Sequence, residues 1–267
     1  MSYPTRRGGS ETLSKKIASY LATKNQSFVQ LNQKVTAIEQ VFTYYSIPED
    51  YLGKEIPSTA KRTEKDGVVW IEIDGASPNR KEVRYPTVKV IANSSQTPKY
   101  EYGHVISTLP LPVLRTVSLR DAGLNILQKN ALRALDYGFS VKIALRFKSP
   151  WWTDKLKITG GQSFTDLPTR TIVYPSYGVD SNTPSNVLIA SYSWSSDASR
   201  LGALASNPDK AALEELVLRN LAEAHYGVND STEITYEFLK GELADGENIH
   251  VKDWNSDEYT MGQSLAW

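Results

Sequence analysis

The rhythm of apolar positions changes along the chain. Leu13, Ile17, Tyr20 and Leu21 recur at three- and four-residue spacing, which predicts a helix capped by Ser10 and running to about Lys24. Phe28, Val29 and Leu31 then lead into residues 34–41, and the two stretches read as paired strands. Residues 48–66 are rich in Lys, Glu, Ser and Pro and predict an exposed excursion between strands. Residues 68–74, 88–92 and 105–108 read as further strands, with a turn region at 75–84. This β-rich part closes at a Leu-Pro-Leu-Pro run over residues 109–112.

Beyond it the spacing switches. Leu124, Leu127, Ala131, Leu132 and Leu135 form a helical stripe that stops at Tyr137-Gly138. Phe139, Val141, Ile143, Leu145 and Phe147 alternate with Ser140, Lys142, Ala144 and Arg146, the period of a strand with two distinct faces. Residues 171–174 and 186–194 read as strands, and residues 209–224 as a long amphipathic helix carrying Leu213, Leu216, Val217 and Leu221. The tail, 249–267, mixes a short strand with a turn. Strands arriving in runs with few helices between them predict an α+β fold, not a doubly wound parallel sheet.

Composition narrows the chemistry. Without cysteine there are no disulfides, thiolate metal sites or cysteine nucleophiles. Thirty basic and thirty acidic side chains cancel, so no global field draws in nucleic acid or an anionic membrane surface. No window approaches the ~18 apolar residues of a membrane span, and the first residues lack the apolar run of a secretory signal. Localisation is left open, and so is homo-oligomerisation. His104, His225 and His250 lack metal-ligand spacing.

Two places stand out. Lys142 lies on the polar face of an otherwise apolar strand, and burying a bare ammonium costs several kcal/mol, so it needs water or an acceptor. On periodicity alone the plain structural reading is that this face of the strand is simply solvated. Residues 160–175 combine a glycine turn, a turn begun by Asp166 and a strand ending in Tyr174-Pro175. An Asp166–Arg170 pair holding the loop, and a Tyr174 packed at the strand end, are the plain structural readings.

The run Tyr137-Gly-Phe-Ser-Val-Lys-Ile-Ala-Leu-Arg-Phe147 followed by Pro150-Trp-Trp152, and the run Gly160-Gly-Gln-Ser-Phe-Thr-Asp-Leu-Pro-Thr-Arg-Thr-Ile-Val-Tyr-Pro175, resemble flavin-containing amine oxidases, most closely the L-amino-acid oxidases. Gly8-Gly9 before the first helix, residues 31–38, residues 104–115 and residues 252–262 resemble family segments in the same order. The resemblance implies FAD as cofactor, with Gly8, Gly9 and Val35 beside it. It implies that Lys142 holds a water against the flavin and aids the reaction with dioxygen, and that Tyr174 donates to the substrate carboxylate. The implied fold is α+β: a mixed or antiparallel sheet of the substrate domain with helices on one side, plus a β-rich piece of the FAD-binding domain. By domain, 1–112 would be the FAD-binding segment with 48–84 as an excursion, 113–250 the substrate domain, and 251–267 the return.

The implied reaction is oxidative deamination of L-amino acids to 2-oxo acid, ammonia and hydrogen peroxide, with dioxygen as co-substrate. The chain also departs from the pattern. None of its sixteen glycines forms the Gly-x-Gly-x-x-Gly turn that receives a dinucleotide pyrophosphate, and Gln263 stands where the family has a small residue. The expectation is therefore a truncated chain, inactive alone. A non-catalytic fragment or degenerate binding module, and an oxidase of non-carboxylated amines, stand as alternatives.

Overall fold

The computed structural model describes residues 11–25, 29–93, 100–176 and 184–263. They divide into two compact units, one within Ser10–Leu135 and the other within Asp136–Trp267. The sequence pattern changes at 112, but residues 113–135 pack with the first unit.

The first unit begins with α1 (Glu11–Lys24), which buries none of its residues. A long β1 (Val35–Pro48) follows, then β2 (Lys61–Lys65), β3 (Val68–Glu72), β4 (Arg80–Ala92) and β5 (Tyr100–Tyr102). These form one sheet in the order β2-β3-β1-β4-β5. The β1–β4 pairing is antiparallel from Val35↔Ala92 to Pro48↔Arg80, whereas β3 runs parallel to β1. The turn expected over 75–84 therefore shrinks, because β4 already starts at Arg80. Arg80 explains the early start. Its guanidinium donates to Ser46 Oγ at 2.8 Å and to the Ser46 and Ile71 carbonyls at 2.7 and 2.6 Å, and lies 4.8 Å over Trp70. One side chain thus ties β4, β1 and β3 together. The strand expected at 105–108 does not form: the segment pairs with no strand of this sheet, and Ile106 is 89% exposed. The short α2 (Leu111–Leu114) and α3 (Ile126–Ala134) complete the unit. A reciprocal capping box between Asn125 and Gln128 starts α3, satisfying amides that would otherwise be orphaned. That helix ends at Ala134, before the Tyr137-Gly138 stop expected from sequence.

The second unit holds β6 (Ser140–Arg146), α4 (Trp151–Asp154), β7 (Gly161–Phe164), β8 (Thr171–Tyr174), β9 (Val187–Trp194), α5 (Ser195–Ala205), α6 (Ala211–His225), α7 (Tyr236–Glu242) and β10 (Ile249–Asp253). Its five-stranded sheet, in the order β10-β6-β9-β8-β7, is antiparallel throughout. The alternation read from sequence is obeyed from Val141 onward: Val141, Ile143, Leu145 and Phe147 are fully excluded from solvent, whereas Phe139, expected in the same row, precedes the strand and is 43% exposed. They meet Leu201 of α5 and Leu213, Val217, Leu218 and Leu221 of α6 in one apolar core. Each such burial contributes roughly 1.5–3 kcal/mol. Phe147, Trp151 and Trp152 close the core edge-to-face, with centroids 5.6–6.0 Å apart. The α+β expectation holds in both units, and in the second the helices α5 and α6 cover one face of an antiparallel sheet.

Candidate functional site

Since α5 and α6 occupy one face of the second sheet, the polar residues of β6 project from the other. Lys142 stands at its middle. The register sets Lys252 of β10 on one side of it and Tyr192 of β9 on the other, so a row Lys252–Lys142–Tyr192 crosses three strands. Lys142 Nζ lies 4.3 Å from the Tyr192 ring centroid, within cation–π range. Tyr192 stacks at a tilt on Trp194, centroids 4.4 Å apart. Lys252 lies 5.1 Å over Trp254 and pairs with Asp257. That pairing is the main reason the Asp257 carboxyl is held below its ordinary value, with help from the Tyr259 amide and the Thr260 hydroxyl.

The tail turn completes this face. Gly262 has φ +125°, and a Cβ there would stand 2.7 Å from the Tyr137 Cβ, so the chain can pass only as glycine. Its amide donates to the Trp254 carbonyl at 2.7 Å. The next residue, Gln263, exchanges two backbone hydrogen bonds with Gly138 at 2.9 and 3.0 Å. Gln263 Nε2 then donates to the Tyr192 hydroxyl at 2.7 Å. Two polar atoms near this turn, Trp254 Nε1 and Gln263 Oε1, are buried without a partner among the described residues.

Tyr174 is elsewhere. It is 4% exposed and belongs to the core beneath the helices, with Ile143 and Leu221. Its hydroxyl is 2.6 Å from His225 Nε2 and 3.0 Å from Ser163 Oγ. His225 Nδ1 is 2.6 Å from the Leu221 carbonyl. A carbonyl can only accept, so Nδ1 carries the proton, Nε2 accepts from Tyr174, and the Tyr174 oxygen accepts from Ser163. Burial raises the Tyr174 phenol and lowers the His225 imidazole, the latter opposed by its backbone hydrogen bond. The structure therefore does not bring Tyr174 to Lys142, as the sequence reading expects; the phenol beside Lys142 is Tyr192. The physical reason is strand parity. Val173 pairs with Ile189, so Tyr174 and Ile172 turn to the helix side.

The expected Asp166–Arg170 pair is also corrected, because Arg170 Nε meets Asp197 of α5 at 2.8 Å. Val35 is half-buried at the start of β1, in the first unit, and Gly8 and Gly9 lie outside the described residues. Among the described residues no cluster of His, Asp or Glu has the arrangement of a metal site. A cavity of about 1040 Å³ opens in the first unit between Tyr45, Tyr51, Tyr85 and Glu101, and none of the expected site residues lines it. Sequence reasoning missed Tyr192 and Trp194, and it marked Gln263 only as a departure from the family pattern, not as a partner of Tyr192. The alternation within 187–194 sets Tyr192 and Trp194 on one face, but the register that brings Tyr192 to Lys142 is written in no local pattern.

Comparison with known proteins adds context. Residues 79–266 match the family described as flavin containing amine oxidoreductase. The chain is 42% identical over 265 residues to L-amino-acid oxidase 4 of Hebeloma cylindrosporum, covering 96% of this chain but 34% of that protein. It is 38% identical over 142 residues to an L-amino-acid oxidase of Siganus canaliculatus, 53% of this chain and 24% of the relative. A solved putrescine oxidase redesigned in its cofactor binding superposes with a TM-score of 0.58 at 15% identity, over 96% of this chain and 41% of that one, a likeness of fold. The chain thus spans roughly a third of the length of the Hebeloma relative.

Proposed function

Because this chain belongs to the flavin-containing amine oxidoreductase family, we propose that it is part of an FAD-dependent oxidase that takes the α-amine from L-amino acids, yielding 2-oxo acid, ammonia and hydrogen peroxide. The observation that carries the reading is the Lys142–Tyr192 pair on the sheet face opposite α5 and α6. Similarity to proteins named L-amino-acid oxidases supports the substrate class.

The donor set suits a flavin. An ammonium, a phenol and indole rings gathered on one face fit a planar ring that takes up negative charge on reduction. When bound, FAD supplies the two-electron oxidation and returns the electrons to dioxygen. Lys142 would hold a water by donation and keep a positive charge beside the redox ring. Tyr192, not Tyr174, would donate its hydroxyl proton to the substrate carboxylate. Tyr174 in this reading is a core phenol that fixes β8 to α6 through His225. Val35, Gly8 and Gly9 stay on the flavin side of the proposal, with the chain up to Leu135 serving the cofactor, 136–250 the substrate and 251–267 the return between them.

Stopped-flow traces on the flavin-loaded oxidase test the lysine. Lys142→Met should slow reoxidation by dioxygen on the order of 100-fold, the scale of losing one preorganised charge, and slow reduction by the amino acid far less. Equal effects on both half-reactions would remove that role. Supporting the substrate class requires an L-amino acid to be oxidised well ahead of its decarboxylated amine.

A further inference from the structure

We infer that Gln263 is a positioning residue that sets the direction of the Tyr192 hydroxyl proton and so selects for a carboxylate-bearing substrate. The inference rests on the amino-acid oxidase reading above. An amide nitrogen can only donate, so in the 2.7 Å contact the Tyr192 oxygen is the acceptor. One lone pair of that oxygen is then taken, and the phenol's own O–H is left to donate elsewhere. No acceptor for it exists among the described residues. A ligand oxygen carrying negative charge is the acceptor that gains most from it, because hydrogen bonds to charged groups are the stronger ones.

The ring itself has little freedom. Lys142 Nζ stands 4.3 Å from its centroid and Trp194 stacks on it at 4.4 Å, so the hydroxyl torsion is the coordinate left to fix. Gln263 is also held. Its backbone is clamped to Gly138 through two hydrogen bonds, and the preceding glycine admits no side chain. Its other amide atom, Oε1, is buried and unpartnered among the described residues. Reversing the amide would place that acceptor on Tyr192 and turn the phenol's proton inward, away from any ligand. The orientation of one amide group thus decides whether Tyr192 offers a proton or a lone pair.

The test uses the flavin-loaded oxidase, an L-amino acid and its decarboxylated amine, and benzoate as a carboxylate probe followed by flavin absorbance. Gln263→Leu should lower kcat/KM for the amino acid roughly fivefold, the factor supplied by one ordinary net hydrogen bond, and mainly through KM. It should lower kcat/KM for the amine less, so the preference between the two falls, and benzoate should bind correspondingly more weakly. Gln263→Glu, which can only accept near neutral pH and adds a negative charge, should weaken benzoate more than Gln263→Leu does. In a Tyr192→Phe background Gln263→Leu should add nothing, since the group it orients is gone. Should Gln263→Leu fail to fold, Gln263→Asn, polar but too short to reach the phenol, gives the same readouts. Equal losses on both substrates, or full additivity with Tyr192→Phe, overturn the inference alone. A protein that treats amino acid and amine alike before any substitution overturns the amino-acid reading, and the inference with it.

Discussion

The two units of this chain, similar in length, differ in how they treat their apolar residues. In the second, a sheet with α5 and α6 on one side excludes twenty hydrophobic side chains into a single core. In the first, Ile47, Ile71 and Val117 are the only buried apolar residues among those described, while Leu13, Ile17, Ile106, Ile126 and Leu127 are at least half exposed. The apolar patterns of α1 and α3 are as regular as that of α6, yet neither helix buries a residue. The difference teaches that amphipathic spacing states a demand for a partner surface and does not supply one. It also bears on function: the face carrying Lys142 and Tyr192 stands on a rigid, closed core, where a few tenths of an ångström in side-chain position can be held.

The sharpest break of this comparison is to separate the units. Segment 136–267 expressed alone should melt cooperatively, whereas segment 10–135 should melt broadly and bind a hydrophobic dye; matching cooperative melts would dissolve the contrast. Next in size are core truncations. Ile143→Ala should cost about 2–5 kcal/mol through the cavity it leaves, while Ile106→Ala should stay within about 0.5 kcal/mol, as an exposed substitution does. Urea midpoints at constant m-value decide between them.

Acid should also find the second unit first. Burial lowers the His225 imidazole from its ordinary 6.5, so between that value and the lowered one the unfolded chain binds the extra proton. Stability is complete above pH 6.5 and is lost as pH falls from there toward the folded-state value. His225→Gln should remove this slope, and at pH 8 it should cost about 1–3 kcal/mol because the buried Tyr174 hydroxyl and Leu221 carbonyl lose their partner. A wild-type stability that is flat from pH 7.5 to 5.5 would contradict it. The smallest effect belongs to the first unit. Glu101 accepts from Thr43 and, at 2.5 Å, from Thr87, and these bonds hold its carboxyl below the ordinary 4.5. Its contribution is complete above pH 4.5 and is lost as pH falls toward the lowered value. Glu101→Gln should therefore change the unfolding midpoint slightly at pH 6 and not at all at the bottom of that window.

Where the chain carries its own constraint, the sequence was enough. The two-residue period is a backbone property, so over 141–147 it named both the buried row and the isolated position of Lys142, though not the exposed Phe139 before the strand, and residues 171–174 form the strand that their composition suggests. The quoted motifs likewise pointed to the flavin-containing family. Three things depended on the tertiary structure: the partner of Lys142, the side of the sheet that Tyr174 takes, and the hold of Gln263 on Tyr192. A strand's period says that its residues alternate, but not which face the helices will cover. Register between strands separated by fifty residues is fixed only when distant side chains pack, and a shift of one residue exchanges the two faces entirely.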